Sequence, residues 1–174
     1  MPESQFYPLQ FNPKTGEPFL RLPIPHNNII ITPPRMSDAA AIVKNMTDPA
    51  LYIWLTGPPH PYLPKHAEYW LDKIKAATDA SFEKLRRANE EQPEGPPILV
   101  DESPVRTIRE VREDGSELFL GDIALLREMW PDEEDRELKK TLTEANAARE
   151  LGDPEIVWCI GGSSFEHLGV LLLG

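Results

Sequence analysis

The sequence contains a single cysteine, Cys159, and no long run of apolar residues. One cysteine excludes an internal disulfide, and proteins of reducing compartments are typically built without such bonds. No apolar stretch approaches the roughly 20 residues that a membrane-spanning helix needs. The N-terminal residues also lack the basic stretch and apolar run of a secretory signal peptide. We therefore expect a soluble, cytoplasmic protein that has no membrane partner.

The chain also has no excess of positive charge. It contains 18 Lys and Arg residues and 29 Asp and Glu residues, and its formal net charge is -11. Nucleic acids and anionic membranes select basic surfaces, so neither is an expected partner. An amine or a basic peptide is compatible with this charge, although an acidic surface also serves solubility alone. The sequence carries no signal for the oligomeric state.

The signatures of common catalytic and metal sites are missing. Cys159 has no Cys or His at the spacing of zinc ligands, so no metal site is predicted. Residues 161–164, Gly-Gly-Ser-Ser, do not match the nucleophile elbow of hydrolases, and no glycine-rich phosphate loop occurs. Asp122 and Glu155 border predicted strands, where a general base could face a cleft, although a solvated carboxylate at a strand end is more common. Residue spacing alone predicts a fold class and no activity.

Prolines, by contrast, are abundant, with 19 among 174 residues, and their clusters mark loops. Residues 1–27 are rich in proline and have no period, which predicts an arm on the protein surface. A β-branched strand is expected at residues 28–32, followed by a helix that Ser37 caps. Residues 50–55 are apolar and indicate a short helical turn.

A long helix is predicted to begin at Lys65 or His66. Its apolar residues recur at three- and four-residue spacing and predict one buried stripe, made of Trp70, Leu71, Ile74, Thr78, Phe82 and Leu85. Asp114 and Gly115 predict a hairpin over residues 105–127, with Gly121 as a bulge. A charged insertion with helical character follows at residues 128–152, and Glu155 to Ile160 is expected to be a buried strand. The predicted class is α+β, in the order β-α-α-β-β-β.

A series of short motifs gives the chain a family resemblance. In order they are Thr32-Pro33-Pro34-Arg35, Ser37-Asp38-Ala39, Asp48-Pro49, Trp54-Leu55, Gly57-Pro58-Pro59, Pro61-Tyr62, His66-Ala67-Glu68 and Trp70-Leu71. This series resembles the N-terminal half of the GCN5-related N-acetyltransferases (GNAT family), most of all the ribosomal-protein N-terminal acetyltransferase branch and its fungal relatives. The hairpin and the segment "GDPEIVWCIG" look like strands two to four of that fold. The resemblance covers residues 28–161 and implies a mixed, mainly antiparallel sheet with flanking helices.

The resemblance also implies an activity and a set of site residues. It suggests transfer of acetyl from acetyl-CoA, as a co-substrate, to a primary amine without a metal. The backbone of Cys159, Ile160 and Gly161 would bind the pantetheine arm and stabilise the oxyanion. Glu155 would be the general base. Trp54 and Tyr62 would line the acceptor side, although packing in the core is the more common role of such residues.

The chain departs from the family pattern after Gly161. The family continues with a glycine-containing loop and a helix whose N–H groups hold the pyrophosphate of acetyl-CoA. Residues 162–174 do not match that loop and are predicted to be an atypical stub, so the C-terminal half of the fold is expected to be missing. Strand four would then have an open edge, and either Trp158 and Ile160 or Val157 and Cys159 would lose neighbours.

Two other interpretations stay open. The chain could be a catalytically inactive, truncated form of such an enzyme that binds a partner through its open sheet edge. It could also be an unrelated α+β interaction domain, which would be favoured if residues 28–161 did not place two helices against an antiparallel sheet. The acceptor is equally open among a protein N-terminus, a lysine, a polyamine and a small-molecule amine.

Overall fold

The computed structural model describes residues 4–53, 55 and 57–164. All strand pairs in it are antiparallel, and six strands form one sheet in the order of the sequence. The elements are β1 Gln10–Phe11, β2 Pro18–Arg21, β3 Ile29–Thr32, a short 3-10 turn Met36–Asp38, α1 Ala39–Met46, α2 Pro49–Tyr52, α3 Pro64–Glu91, β4 Thr107–Val111, β5 Glu117–Arg127, α4 Arg136–Ala147 and β6 Trp158–Ser164. The predicted α+β class is confirmed. Within these described residues, every helix is too short or too polar to cross a membrane.

The N-terminal segment differs from the aperiodic arm that its composition suggests. It forms a hairpin, because β1 pairs with β2 and β2 pairs with β3 at the edge of the sheet. Its aromatic rings also pack on α3, since the Phe6 centroid lies 5.7 Å and the Phe11 centroid 6.3 Å from that of Phe82. These strands are too short to show an alternating pattern, which is why the sequence does not reveal them.

Helix α3 follows the predicted helical period. It begins at Pro64, where a proline at the first helical position sacrifices no backbone hydrogen bond. Two residues of the predicted stripe are not fully buried, because Trp70 is 38% exposed and Phe82 is half-buried. The buried side of the helix is therefore rotated slightly from the predicted one. Its buried residues are Ala67, Leu71, Ile74, Thr78, Ser81, Leu85 and Ala88.

The hairpin of β4 and β5 lies where the sequence predicts it. The turn is closed by the Ser116 N–H, which donates to the Asp114 carboxylate at 2.8 Å, and Gly115 adopts a φ of +79° that favours glycine. Ile108 pairs with Gly121 while Arg109 pairs with Phe119, so Leu120 is the extra residue of a β-bulge. The bulge is therefore adjacent to the predicted position, Gly121.

Strand β6 differs from the predicted buried strand at Glu155 to Ile160, in both its bounds and its exposure. It begins at Trp158 and continues through Ser164, so residues 162–164 of the predicted stub belong to the strand. Among the described residues it pairs only with β5. The Ile160 side chain is 76% exposed and that of Val157 is 46% exposed. An apolar sequence does not distinguish an edge strand from a central one, which explains the difference.

The charged insertion contains α4, in agreement with its predicted helical character. The Asp135 carboxylate caps this helix by accepting from the Glu137 and Leu138 N–H groups. At the other end, the buried amide of Asn146 donates to the carbonyls of Glu128 and Val157, at 3.2 and 2.9 Å. The helix is thereby attached to the residue that follows β5 and to the residue that precedes β6.

Candidate functional site

A cavity of about 730 Å³ lies between α1, α3, the loop that precedes α3 and one face of β4, β5 and β6. Its size falls within the range of about 300–1,000 Å³ that is typical of small-molecule sites. Most of its wall is apolar and is formed by Ile42, Met46, Leu55, Pro58, Pro59, Leu71, Ile74, Phe119, Ala124 and Leu126. The polar and aromatic residues of the wall are Tyr62, Lys65, His66, Tyr69, Trp70, Arg106, Thr107 and Asp122, with Gly161 of β6 at one side.

The strand pattern explains which residues reach this cavity. Asp122, Ala124 and Leu126 alternate along β5 and therefore share one face of the sheet. Gly161 is paired with Ala124, so it lies on that face as well. Phe119 would face away by simple alternation, but the extra residue at the bulge brings it to the cavity side. The bulge thus adds an aromatic wall to the cavity.

Arg106 and Asp122 form the main charged contact of the cavity. The Arg106 Nε and Nη2 groups donate to the two carboxylate oxygens of Asp122, at 2.8 and 2.7 Å. Nη1 donates to Glu102 at 2.9 Å, and the guanidinium lies over the Trp70 ring, 5.6 Å from its centroid. Burial opposes the charge of this side chain, but the two carboxylates raise the pKa of Arg106 above its ordinary value. Asp122 is consequently engaged in an ion pair and is not a free base.

Two hydroxyl groups of the cavity wall have no hydrogen-bond partner within the part of the chain that the structure describes. They belong to Tyr62, which is 7% exposed, and Thr107, which is 2% exposed. No buried side-chain oxygen or nitrogen atom among those residues is both fully enclosed and unpaired. Both residues line the cavity. Burial raises the pKa of Tyr62, so its side chain stays a neutral phenol at physiological pH.

His66 lies next to Tyr62, with the ring centroids 5.5 Å apart and the rings edge to face. Its Nδ1 atom accepts a hydrogen bond from the Leu63 N–H at 3.1 Å. A neutral imidazole that accepts at Nδ1 carries its proton on Nε2. His66 is thus arranged as a hydrogen-bond donor rather than as a base, and this contact also fixes the start of α3.

The residues expected to bind the acetyl-CoA arm have different surroundings. Gly161 lines the cavity, Cys159 is paired with Leu126, and Ile160 is paired with Leu125 on the opposite face of the sheet. The Glu128 N–H donates to the Val157 carbonyl. Because hydrogen-bonded and non-hydrogen-bonded pairs alternate in antiparallel strands, the backbone of Ile160 then points to the open edge of β6. Burial raises the pKa of the Cys159 thiol, which makes it a weak nucleophile.

The opposite face of this strand pair is partly exposed. Trp158 is 36% exposed and lies against the Arg127 guanidinium, 5.7 Å from its ring centroid. Trp158 and Ile160, which form one of the two pairs of residues expected to lack neighbours, both lie on this face. They point away from the cavity because they alternate with Cys159 and Gly161.

The other predicted site residues are not gathered at the cavity. The carboxylate of Glu155 is 73% exposed, accepts from Arg149 at 2.6 Å and does not belong to the cavity wall. Trp54 lies outside the described residues. The sequence indicates Asp122 only as a carboxylate at a strand end that could serve as a base, and it does not predict Arg106 or Thr107 as site residues.

The comparisons with family models, curated proteins and solved structures found no match for this chain. The resemblance to the acetyltransferases is accordingly carried by the motifs of the sequence. Among the described residues, no three His, Cys, Asp or Glu side chains are grouped as a metal site would require.

Proposed function

We propose that this chain is a GCN5-related N-acetyltransferase domain that binds acetyl-CoA and transfers its acetyl group to a primary amine. The observation that supports the proposal is that one cavity joins the two predicted sides of the reaction. Gly161, expected at the pantetheine arm, and Tyr62, expected at the acceptor, both line it. Two helices also flank one antiparallel sheet, as the resemblance requires.

In this proposal, the nitrogen of the neutral amine bonds to the thioester carbonyl carbon of bound acetyl-CoA. The bond from that carbon to sulfur then breaks, and CoA leaves as a thiolate that takes up the proton lost by the nitrogen. The edge of β6 offers the backbone groups that would hold the pantetheine arm, as an added strand would be held. The apolar wall excludes water from the reacting atoms, and an N–H group of β6 would stabilise the oxyanion.

The proposal does not use Glu155 as the general base that the resemblance suggests. Glu155 is paired with Arg149 outside the cavity wall, and Asp122 is paired with Arg106, so neither carboxylate is free to act as a base there. The amine therefore loses its proton to solvent before it attacks. The neutral Tyr62 phenol would donate a hydrogen bond within the cavity.

A second candidate function is favoured by the open edge of β6. That strand is paired on one side only among the described residues. The side chain of Ile160 in β6 is 76% exposed, and that of its partner Leu125 in β5 is 49% exposed. An inactive chain could use this edge to add a strand from a partner protein. The mismatch between residues 162–174 and the family's pyrophosphate loop also supports this alternative.

Thermal unfolding with and without acetyl-CoA, combined with an assay of free CoA thiol, tests the proposal. A ligand at about 100 times its Kd adds about 2.7 kcal/mol to the stability of a folded binder. We expect acetyl-CoA to raise Tm and an amine to accelerate thiol release. A rise in Tm without release would support binding but not transfer. A cooperative transition that ignores acetyl-CoA would favour the second candidate.

A further inference from the structure

The described wall of the cavity carries more positive than negative charge, although the formal net charge of the chain is -11. It contains two cationic side chains, Lys65 and Arg106, and one carboxylate, Asp122. Both oxygens of Asp122 accept from Arg106, so these two charges compensate each other. Glu102 also accepts from Arg106 but does not line the cavity. Lys65 makes no hydrogen bond or ion pair with another described residue, so its ammonium is the uncompensated charge of this wall.

Two further hydrogen-bond donors come from the same short segment as Lys65, just before and within the first turn of α3. The Tyr62 phenol is neutral and more than nine-tenths buried, and it has no hydrogen-bond partner among the described residues. His66, whose ring centroid lies 5.5 Å from that of Tyr62, carries its proton on Nε2. Both residues line the cavity, and the dipole of the 28-residue helix adds positive potential at this end. Residues 62–66 therefore offer donors and positive charge, which an anionic oxygen requires.

The rest of the wall is mostly apolar and suits a hydrocarbon body. Phe119 and Leu126 contribute from β5, Met46 from α1 and Ile74 from α3. Ile74 follows Lys65 by nine residues, which is about 13.5 Å along the helix axis. The apolar part of the wall thus continues well beyond the charged segment, and burying a hydrocarbon chain against it is favourable. The cavity accordingly combines an apolar body with one positively charged end.

We propose that the cavity binds a carboxylate on an apolar body, with the carboxylate at residues 62–66 and the hydrocarbon between α3 and β5. One uncompensated cation matches one negative charge, so a carboxylate fits better than a phosphate monoester with nearly two. Lys65 is exposed, so its ion pair with the ligand keeps contact with water and avoids the cost of full desolvation. An ammonium ion would be repelled by Lys65 and would find no free carboxylate in the described wall.

Calorimetry with three matched probes tests the charge preference without any catalysis. Octanoate, octylamine and 1-octanol have the same eight-carbon chain and carry a negative charge, a positive charge and no charge. We expect octanoate to bind at least about tenfold more tightly than octylamine, because Lys65 attracts one headgroup and repels the other. Added NaCl should weaken octanoate binding and affect 1-octanol binding much less, since salt screens charge.

Three outcomes of these titrations would count against the proposal. Equal or tighter binding of octylamine, or no heat with octanoate, would overturn the inference. Tighter binding of octyl phosphate than of octanoate would overturn the choice of a carboxylate.

A variant without the ammonium group tests the position of the carboxylate. Lys65→Met keeps most of the side-chain length and removes the charge, so we expect octanoate to bind about tenfold more weakly and 1-octanol to bind as before. Lys73→Met is the matched control, because Lys73 is exposed on α3 and is not part of the cavity wall. Circular dichroism establishes that each variant is folded. Unchanged octanoate affinity in folded Lys65→Met would overturn the inference.

The Tyr62 hydroxyl is tested in the same way. Tyr62→Phe removes one hydrogen-bond donor and keeps the ring, and we expect octanoate binding to weaken about fivefold to tenfold. Tyr7→Phe is the control, because Tyr7 is 65% exposed and is not part of the cavity wall. Equal octanoate affinity in Tyr62→Phe and the parent protein would contradict the placement of the carboxylate at this segment.

This inference concerns binding alone and does not rest on the proposed acetyl transfer. The acceptor of that reaction attacks as a neutral amine, which Lys65 does not repel, so the two proposals are compatible. Octanoate binding in a protein that shows no amine-dependent thiol release from acetyl-CoA would keep the inference and overturn acetyl transfer. Amine-dependent thiol release without any octanoate binding would keep acetyl transfer and overturn the inference.

Discussion

The guanidinium of Arg109 and the carboxylate of Asp38 form a bidentate ion pair in the protein interior. The Nη1–Oδ1 and Nη2–Oδ2 distances are 2.9 and 2.8 Å, and the two side chains are 3% and 5% exposed. Arg109 Nε also donates to the Thr32 hydroxyl at 2.8 Å, and the Arg35 N–H donates to Asp38 at 2.9 Å. The pair connects β3 and β4 to the start of α1, and α1 forms one wall of the cavity.

Removing one partner of this pair should be strongly destabilising. We expect Asp38→Ala to lower the free energy of unfolding by about 3–5 kcal/mol, because it leaves the Arg109 charge buried without its partner. Urea unfolding measures the change. Asp72→Ala, at an exposed position on α3, is the control and should have little effect. A loss below about 1 kcal/mol for Asp38→Ala would show that Arg109 is solvated in the absence of its partner.

Tyr62 should make stability fall at high pH. Burial raises the pKa of its phenol, so between the ordinary value of about 10 and the raised folded value the folded state binds more protons than the unfolded state. The free energy of unfolding then decreases with pH, at most about 1.4 kcal/mol per unit. Urea unfolding at a series of alkaline pH values measures this slope.

Tyr62→Phe should remove that part of the slope, and Tyr7→Phe should retain it because Tyr7 is exposed. Identical slopes in the protein and in Tyr62→Phe would mean that the phenol ionises in the folded state as it does in water.

Binding of acetyl-CoA at the edge of β6 should depend on the backbone N–H of Ile160. Ile160→Pro removes one N–H that points away from β5, a position where an edge strand tolerates proline. If this edge holds the pantetheine arm, the variant should lose most of the increase in Tm that acetyl-CoA gives. Ile160→Ala is the control, since it changes the exposed side chain and keeps the N–H. Equal increases in Tm for both variants would place acetyl-CoA elsewhere.

The N-terminal hairpin should be released by truncating the aromatic contact on α3. Phe82 stacks on Phe6 and also contacts Phe11, so Phe82→Ala should cost about 2–3 kcal/mol for a half-buried ring. We expect limited proteolysis to cleave the N-terminal segment faster in this variant. Lys73→Ala, on the exposed side of the same helix, should be cleaved at the rate of the parent protein.

Sequence patterns predicted the helices and strands that are stabilised by interactions between residues close together in the sequence. The helical period over α3 and the Asp114–Gly115 turn both act within a few residues, so these elements could be predicted correctly. The hairpin of β1 and β2 could not, because such short strands are stabilised by their neighbours in the sheet and by the packing of Phe6 and Phe11 on α3.

The candidate site was only partly accessible from the sequence. Tyr62 and Gly161 could be named through the family resemblance, and both line the cavity. The contact between Arg106 and Asp122, and the position of Thr107 in the cavity wall, depend on which faces of β4 and β5 meet the helices.

The sequence by itself determined the α+β class, the long helix and the central hairpin, because periodicity and turn chemistry are properties of neighbouring residues. The tertiary structure alone decided that β6 is the last strand of the sheet among the described residues, that the bulge turns Phe119 into the cavity, and that Arg106 neutralises Asp122. The physical reason is that strand register and ion pairing join residues distant in sequence, and their energies depend on burial that only the complete packing creates.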